Sequence, residues 1–309
     1  VELSKAMSVP VQVTWSREDD MQADYYRPAV MVRLTAGLDG DGKAVAWKNR
    51  IVAPSIMSRF FPGSVKNGID ETAVEGIATL KYEVPNFLVE YLMTDPGVPV
   101  GFWRSVGCSH NGYIAECFVD EMAKAAGKDP LEFRRGMLAK EARPLGALNL
   151  AAEKAGWEKP LAAGRYRGIA MVESFGSFVA QVAEISLDRK GGTAQVHRVV
   201  AAVDCGRYVN PETIRAQIEG GIIYGLTAAL KGEITIANGR VEQSNFNDYD
   251  MVRINEAPII EVHIVESKDA PGGIGEPGTP PIAPAVCNAI FAATGKPVRR
   301  LPIKAEDLV

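Results

Sequence analysis

The residues best suited to chemistry lie in the stretch GGIGEPGTPPIAPAV, from Gly272 to Val286. It places one carboxylate, Glu276, between glycines and prolines. Glycine lets a backbone approach a bound group closely because it has no Cβ, and a carboxylate held in such a loop could act as a general base. The same letters satisfy G-x-G-x-x-G, the dinucleotide-binding pattern. Gly and Pro also cluster in ordinary turns, so one loop has three interpretations.

The dinucleotide interpretation fails on its context. It requires a strand that ends at the first glycine, a helix that opens inside the motif and an acidic residue about 20 residues later. The preceding strand pattern ends near Glu266, short of the motif. Pro277, Pro280 and Pro281 prevent a helix from starting at the second glycine. No acidic residue follows before Glu306, so the sequence argues against nucleotide binding here.

The composition narrows the class of protein. The 309 residues are 47% hydrophobic and 23% charged, as in an ordinary globular protein, and the length suggests about two domains. The net charge of -4 comes from 38 acidic and 34 basic residues mixed along the chain, without the basic stripe that nucleic-acid binding needs. No apolar run approaches the roughly 18 residues of a membrane span. We therefore expect neither nucleic acid nor a membrane span.

The chain begins at Val1 with no initiator methionine or signal segment, so we expect a piece of a longer protein. This leaves the compartment open between cytoplasm and periplasm. No two cysteines form a C-x-x-C pair, which argues against a disulfide framework, a structural zinc or an iron–sulfur cluster in this chain. The histidines are also isolated, and we predict no metal ligand among them. These residues are Cys108, Cys117, Cys205, Cys287, His110, His197 and His263.

Strand patterns dominate the first half. Alternating apolar and polar residues predict strands at 10–18, 29–39, 44–52 and 87–93, with a hairpin turn at 40–43. The loop 96–107 then leads into a helix from about Ser109 to Ala126. Asp129, Pro130 and Glu132 are typical of the start of a second helix.

A similar plan follows the change of character at 141–166. Residues 179–188 and 194–204 predict a second hairpin, and Asn210-Pro211 opens a helix to about Leu230. A short hairpin at 233–244, a strand at 259–267 and a helix from Pro284 to Thr294 complete the chain. We therefore predict a two-lobed α+β protein, in which β-hairpins are followed by helices. The predicted division is a first lobe at 1–140, a connecting segment at 141–166 and a second lobe at 167–309.

Three segments resemble the molybdenum hydroxylases, the superfamily of the xanthine dehydrogenases and aldehyde oxidases. Within it they are most similar to the large (β) subunits of the isoquinoline 1-oxidoreductase group and related bacterial aldehyde dehydrogenases. The likeness runs nearly end to end and implies a mixed α/β molybdopterin-binding fold. The segments are WSREDDMQADYYRPA (15–29), VPVGFWRSVGCSHNGYIAECFVDEMAKAAGKDPLEFR (98–134), and VDCGRYVNPETIRAQIEGGIIYGL (203–226) continuing through SNFNDYDMVR (244–253) to GGIGEPGTPPIAPAVCNAIFAATGKPVRRLPI (272–303).

The resemblance also assigns roles. It implies that Glu276 is the active-site base, that Arg104 contacts a substrate oxygen, and that Gln217 lies near the pterin. It places three glycines beside the cofactor: Gly107, Gly273 and Gly275. The residue types suit the chemistry, because hydroxylation of an electron-poor carbon needs a base for the proton of the incoming oxygen. A nearby guanidinium can stabilise negative charge that develops on the substrate.

The implied activity is hydroxylation of an N-heteroaromatic compound, or oxidation of an aldehyde, with oxygen derived from water. The implied cofactor is molybdopterin with molybdenum, with iron–sulfur clusters on a separate small subunit and the remainder of the large subunit as a further partner. The family's Gly-Gln-Gly and Gly-Gly-Gly-Phe-Gly loops do not occur in these residues. We therefore expect the 309 residues alone to hold no cofactor and to be inactive.

Two other functions compete with this one. A cofactor-free scaffold could use the same fold to dock a partner subunit, and molybdenum content with dye-linked substrate oxidation would separate it from an enzyme. A cysteine hydrolase could use Cys108 and His110. Residues two apart at a loop-to-helix junction rarely face each other, and no acidic residue is placed to orient the histidine.

Overall fold

The elements of the first half form one antiparallel hairpin, a parallel strand and several helices in a computed structural model that describes residues 1–309. In chain order they are α1 (Glu2–Met7), α2 (Arg17–Gln22), β1 (Met31–Leu38), β2 (Ala44–Ala53), α3 (Met57–Phe60), α4 (Glu71–Val74), β3 (Asn86–Met93), α5 (Val106–Ala125), α6 (Pro130–Met137) and α7 (Ala142–Ala155). A 3-10 turn at Pro62–Ser64 lies between α3 and α4.

The second half is richer in long strands. Its elements are β4 (Tyr166–Ser174), β5 (Ser177–Asp188), β6 (Thr193–Asp204), α8 (Pro211–Leu230), β7 (Ile236–Ala237), β8 (Arg240–Val241), β9 (Ile259–Ile264) and α9 (Ile282–Thr294), with a final 3-10 turn at Ala305–Leu308. No helix combines the length and the apolar character that a membrane crossing requires.

Local sequence signals explain most helix and turn boundaries. Asp129 caps α6 by accepting the N–H groups of the first turn, and Asn210 caps α8 in the same way. Both helices have proline at their first position. Gly295 ends α9 with a φ of +75°, in the left-handed region that glycine tolerates. In the turn between β1 and β2, the Asp39 carboxylate accepts the N–H of Lys43 at 2.8 Å.

Two sheets follow one topology. In the three-stranded sheet, the β1–β2 hairpin is joined by β3, which runs parallel to β2. In the four-stranded sheet, β5 and β6 form the hairpin, β9 runs parallel to β6, and β4 pairs with the outer side of β5. Each parallel strand leads through a loop into a long helix, β3 into α5 and β9 into α9. The helix predicted after Asn210 is α8, which follows the β5–β6 hairpin, whereas the helix that follows the parallel strand, as α5 does, is α9.

The hydrophobic core lies on both faces of the four-stranded sheet. Successive residues of β6 point to opposite faces, so Val199 joins the cluster beneath α8 and α9 while Val200 joins the cluster beneath α5, α6 and α7. The second cluster also takes in Trp47 of β2. Helix α7, inside the predicted connecting segment 141–166, packs on β5 and β6. The division into lobes at that segment stays a prediction.

Two strand predictions differ from the structure. Residues 10–16 form no regular structure and 17–22 form α2, so the strand predicted at 10–18 is wrong. These residues alternate apolar and polar side chains, but no neighbouring strand pairs with them. Strand β4 was not predicted, because Gly168 to Val172 is buried on both faces and shows no alternation.

Candidate functional site

The site forms where the loop before α5 meets the loop before α9 and the first turns of α8. Arg104 joins all three. Its Nη2 donates to Oε1 of Gln217 at 2.9 Å, and its Nε donates to the Gly275 carbonyl at 3.2 Å. The guanidinium also lies 5.8 Å from the centre of the Tyr224 ring. Residues that are 171 positions apart in the chain are thereby held in direct contact.

The glutamate loop is anchored through its backbone. Ser105, next to Arg104, donates its hydroxyl to the Glu276 carbonyl at 2.9 Å. The buried amide of Gln181 donates to the Gly278 carbonyl at 2.8 Å. A Cβ at Gly278 would fall 2.9 Å from Cα of Ile218, so the loop lies directly against the backbone of α8. These contacts leave the Glu276 side chain half-buried, with no hydrogen-bond or salt-bridge partner for its carboxylate.

The three glycines that the sequence assigned to the cofactor differ in their surroundings. Gly275 has open space where a Cβ would lie. A Cβ at Gly273 would approach Cβ of Phe175 to 2.9 Å, and one at Gly107 would lie 2.1 Å from the Thr72 carbonyl oxygen. Close packing within the protein therefore requires glycine at 107 and 273. Only Gly275 presents free backbone surface, and the cofactor role of all three stays a prediction.

An aromatic wall lies beside the arginine. The Trp103 ring lies 4.8 Å from that of Tyr224, centre to centre. The Arg27 guanidinium stacks on the Trp103 ring, 4.0 Å from its centre, and donates to the Ser109 hydroxyl at 3.0 Å. Arg27 makes no ion pair with any carboxylate, and burial lowers its pKa to about 10. An arginine without a carboxylate partner is a candidate for binding an electronegative ligand atom.

A small cleft opens beside this wall. Its lining includes Pro28, Ile56, Trp103, Val106 and His110. Neither ring nitrogen of His110 has a hydrogen-bond partner, and burial lowers the pKa of its imidazole to about 3. Half of the residues that line the cleft are hydrophobic, and its polar residues include Thr72 and His110.

A second carboxylate lies behind the arginine loop. Glu75 accepts the Gly107 N–H at 2.8 Å. Burial raises the pKa of Glu75, and the negative charge of Glu276 adds to the effect. Burial and the same two carboxylates raise the pKa of the Cys108 thiol. A thiol in this environment is a poor nucleophile, so the surroundings of Cys108 disfavour the hydrolase alternative.

The sequence assigned Glu276, Arg104 and Gln217 separately, and the structure brings them into one site. It adds Arg27, Ser105 and Tyr224, which sequence reasoning did not select. Arg27 lies inside the quoted segment 15–29, yet no sequence signal shows which arginine lacks an acidic partner. Two consecutive residues of the arginine loop, 104 and 105, bind two consecutive carbonyls, 275 and 276.

Comparisons with known proteins point to one family. Two family models, both described as molybdopterin cofactor-binding domains, match residues 2–138 and 115–258. The beta subunit of isoquinoline 1-oxidoreductase from Brevundimonas diminuta is 33% identical over 97% of this chain and 39% of its own length. One subunit of nicotinate dehydrogenase from Pseudomonas putida is 31% identical over 98% of this chain and 28% of its own length. The chain thus spans less than half the length of either relative.

The fold has a close counterpart among solved structures. The crystal structure of quinoline 2-oxidoreductase from Pseudomonas putida 86 superposes with a TM-score of 0.83, covering 99% of this chain and 65% of that chain. The sequence identity is 14%, so this likeness concerns the fold alone. The mixed α/β architecture predicted from the sequence is thereby confirmed.

Proposed function

This chain belongs to the molybdopterin cofactor-binding family of the molybdenum hydroxylases, and from this premise we propose that it forms the base-bearing half of a hydroxylase site. The substrate proposed is an electron-poor N-heteroaromatic compound, and the oxygen that enters it comes from water. Isoquinoline and nicotinate, the compounds that appear in the names of the two relatives, are both N-heteroaromatic. An aldehyde is the alternative substrate class.

The residues around Glu276 fit a large anionic pterin cofactor. Gln217 accepts from Arg104 through Oε1, which leaves its exposed amide nitrogen without a protein partner. The Arg104 guanidinium adds positive charge, and Gly275 leaves open space beside it. We infer that these three residues would hold part of the cofactor. When bound, the cofactor supplies the two-electron acceptor for oxidation of the substrate carbon.

The protein's own contribution is a placed base. The water-derived oxygen must lose a proton as it attacks carbon, and a Glu276 carboxylate oxygen would accept that proton. This role requires a side chain that is fixed at its backbone but unpaired at its carboxylate. Glu276 meets both conditions, since its carbonyl is bound by Ser105 and its carboxylate has no partner. That combination is the observation on which the proposal rests.

The aromatic wall suits a flat, electron-poor ring. Trp103 would offer a stacking surface, and Arg27 lies within 4.0 Å of the same ring. A guanidinium there could donate to a ring nitrogen or an exocyclic oxygen and stabilise charge that builds up as the carbon is attacked. The sequence assigned this contact to Arg104. The hydrogen bonds that Arg104 donates to Gln217 and to the Gly275 carbonyl suit it better to holding the loops together.

Further partners follow from the proposed function. We propose that the remainder of a large subunit completes the pocket, and that a small iron–sulfur subunit carries electrons away from the site. We also propose that residues 1–140 and 167–309 act as two lobes that enclose the cofactor, with 141–166 between them.

The test uses the full-length protein loaded with its cofactor. Glu276→Gln is nearly isosteric but cannot accept the proton. General-base catalysis is worth about 10²–10⁴-fold, so the limiting rate of reduction by substrate should fall at least about 100-fold, or roughly 3 kcal/mol. Stopped-flow reduction with isoquinoline, nicotinate and benzaldehyde at equal molybdenum content measures this and ranks the substrate classes. Glu158→Gln, at an exposed glutamate outside the site, is the control.

The same preparation separates enzyme from scaffold. Stoichiometric molybdenum with dye-linked oxidation of a substrate supports the enzyme, whereas absence of both in the full-length protein supports a docking scaffold. A near-normal rate in Glu276→Gln would show that the glutamate only forms a turn.

A further inference from the structure

Ser105 is the residue that joins the arginine loop to the backbone of the proposed base. Its side chain is fully buried. Its hydroxyl donates to the Glu276 carbonyl oxygen at 2.9 Å, and the same oxygen accepts the Thr279 N–H at 2.9 Å. One of these two hydrogen bonds is local to the glutamate loop, and the other crosses from a different part of the fold. Arg104 holds the adjacent Gly275 carbonyl, and Ser105 is the residue of the arginine loop that holds the carbonyl of Glu276 itself.

The backbone is strained at Ser105 and at the next residue, Val106. Ser105 has a φ of +68° and Val106 a φ of +43°. Left-handed backbone is unfavourable for residues with a Cβ, and most unfavourable for a β-branched residue such as valine. Strain of this kind persists only where the surroundings impose it, and it concentrates at functional sites.

The Ser105 hydroxyl does not cap the helix that follows it. Ser105 is the N-cap residue of α5, a position where serine normally accepts an N–H of the first turn, but its side chain makes no such bond. The Glu75 carboxylate accepts the Gly107 N–H in its place. The cap is supplied by another residue, so the serine hydroxyl is free to bind the Glu276 carbonyl.

We propose that Ser105 is a positioning residue, whose hydroxyl sets the orientation of Glu276 by fixing its carbonyl oxygen. This inference rests on the proposed function of Glu276 as the base. It separates two properties of one position. The strained backbone governs stability, whereas the hydroxyl governs the placement of the base.

Two substitutions separate these properties in the full-length, cofactor-loaded protein. Ser105→Ala removes the hydroxyl and keeps the Cβ, whereas Ser105→Gly removes the hydroxyl and relieves the left-handed strain. Both should lower the limiting rate of substrate reduction about tenfold, with KM changed less than about twofold, since misplacement by about 1 Å costs up to about 100-fold. The glycine variant should nevertheless melt at a higher temperature than the alanine variant.

The matched control is Ser186→Ala. Ser186 is a half-buried serine in β5 that binds His197, near the opposite end of that strand from Ser177, which contacts Gly273. It should leave the rate unchanged. If the rate follows the melting temperature instead, so that Ser105→Gly is as fast as the unsubstituted protein, the hydroxyl has no positioning role and the proposal is overturned.

A double-mutant cycle links Ser105 to Glu276. With the base already removed by Glu276→Gln, adding Ser105→Ala should slow the reaction less than about twofold, because residues that act as one unit are not additive. A further tenfold loss would show that Ser105 acts independently of Glu276 and would overturn the proposal. If Glu276→Gln itself reacts at a near-normal rate, the proposed base fails, which is a separate outcome.

A readout independent of activity completes the test. Hydrogen exchange of the Thr279 amide, which donates to the Glu276 carbonyl, reports how firmly that carbonyl is held. Ser105→Ala should raise its exchange rate by about threefold or more, and Ser186→Ala should not change it. Unchanged exchange in Ser105→Ala contradicts the assigned hydrogen bond whatever the role of Glu276.

Discussion

Replacement of Arg134 by methionine should destabilise the fold severely. The Arg134 side chain is 0% exposed and pairs with Glu116 at 2.8 Å and with Asp120 at 2.5 Å. It also donates to the Glu116 carbonyl at 2.9 Å. Methionine has a similar length but no charge, so two carboxylates would remain buried without a partner. Breaking a buried pair costs about 3–5 kcal/mol, a large part of the roughly 5–15 kcal/mol that stabilises a typical domain.

The loss should depend on pH in a defined direction. Burial already raises the pKa of Asp120 to about 6, although Arg134 opposes the shift. Without Arg134 the pKa would rise further. An acid whose pKa is raised by folding contributes stability that is complete below its unfolded value, near 3.8, and is lost as the pH rises through the folded value. Arg134→Met should therefore be less damaging at pH 5 than at pH 8.

The matched control is the adjacent Arg135. Its side chain is 33% exposed and pairs with Glu132, which is 59% exposed, so Arg135→Met should cost no more than about 1 kcal/mol. Urea unfolding at pH 5 and pH 8, followed by circular dichroism, compares the two variants. Equal losses for both, or a loss for Arg134→Met that is the same at both pH values, would refute the account of a desolvated ion-pair network.

Two further predictions concern the cleft. Arg27→Met should not lower the melting temperature, because burial of this unpaired cation lowers its pKa to about 10 and so disfavours the charged form. If the full-length protein oxidises heterocycles as proposed, steady-state kinetics should show that the same substitution raises KM about tenfold for heterocycles that carry an oxygen or carboxylate. Burial lowers the pKa of His110 from 6.5 to about 3, so its contribution to stability is present above pH 6.5 and is lost as the pH falls toward 3. His110→Leu should flatten the pH dependence of urea unfolding over that range, and an unchanged profile would assign the acid lability to other groups.

The sequence predicted those parts of the fold that depend on near neighbours. The caps at Asp129 and Asn210 and the turn at Asp39 involve residues within four positions of each other, and the structure confirms them. Strand β4 escaped prediction because burial on both faces removes the alternation that identifies a strand. The strand predicted at 10–18 had alternation but no partner. Local periodicity does not show which distant segments pair with each other.

The site residues also fall into those that the sequence identified and those that only the structure revealed. Glu276 was assigned through the resemblance of its Gly-x-Gly-Glu motif to that of the family, and this motif lies within one short stretch. Ser105 and Arg27 were not selected, since their meaning depends on which groups lie across the fold. Serine before a helix is ordinarily a cap, and arginine ordinarily finds an acid. Only the arrangement of distant segments shows that Ser105 binds Glu276 and that Arg27 has no carboxylate.

The repeated topology explains why Glu276 lies at this junction. Loops that leave the carboxyl ends of parallel strands commonly carry binding residues, and β3 and β9 are the parallel strands of the two sheets. The loop after β3 carries Arg104, the loop after β9 carries Glu276, and the helices that follow, α5 and α9, pack against each other. That helix contact brings the two loops together, so each completes the other's geometry. Arg104 and Ser105, which follow the first sheet, donate to the carbonyls of Gly275 and Glu276, which follow the second sheet, so each loop helps to hold the other in place.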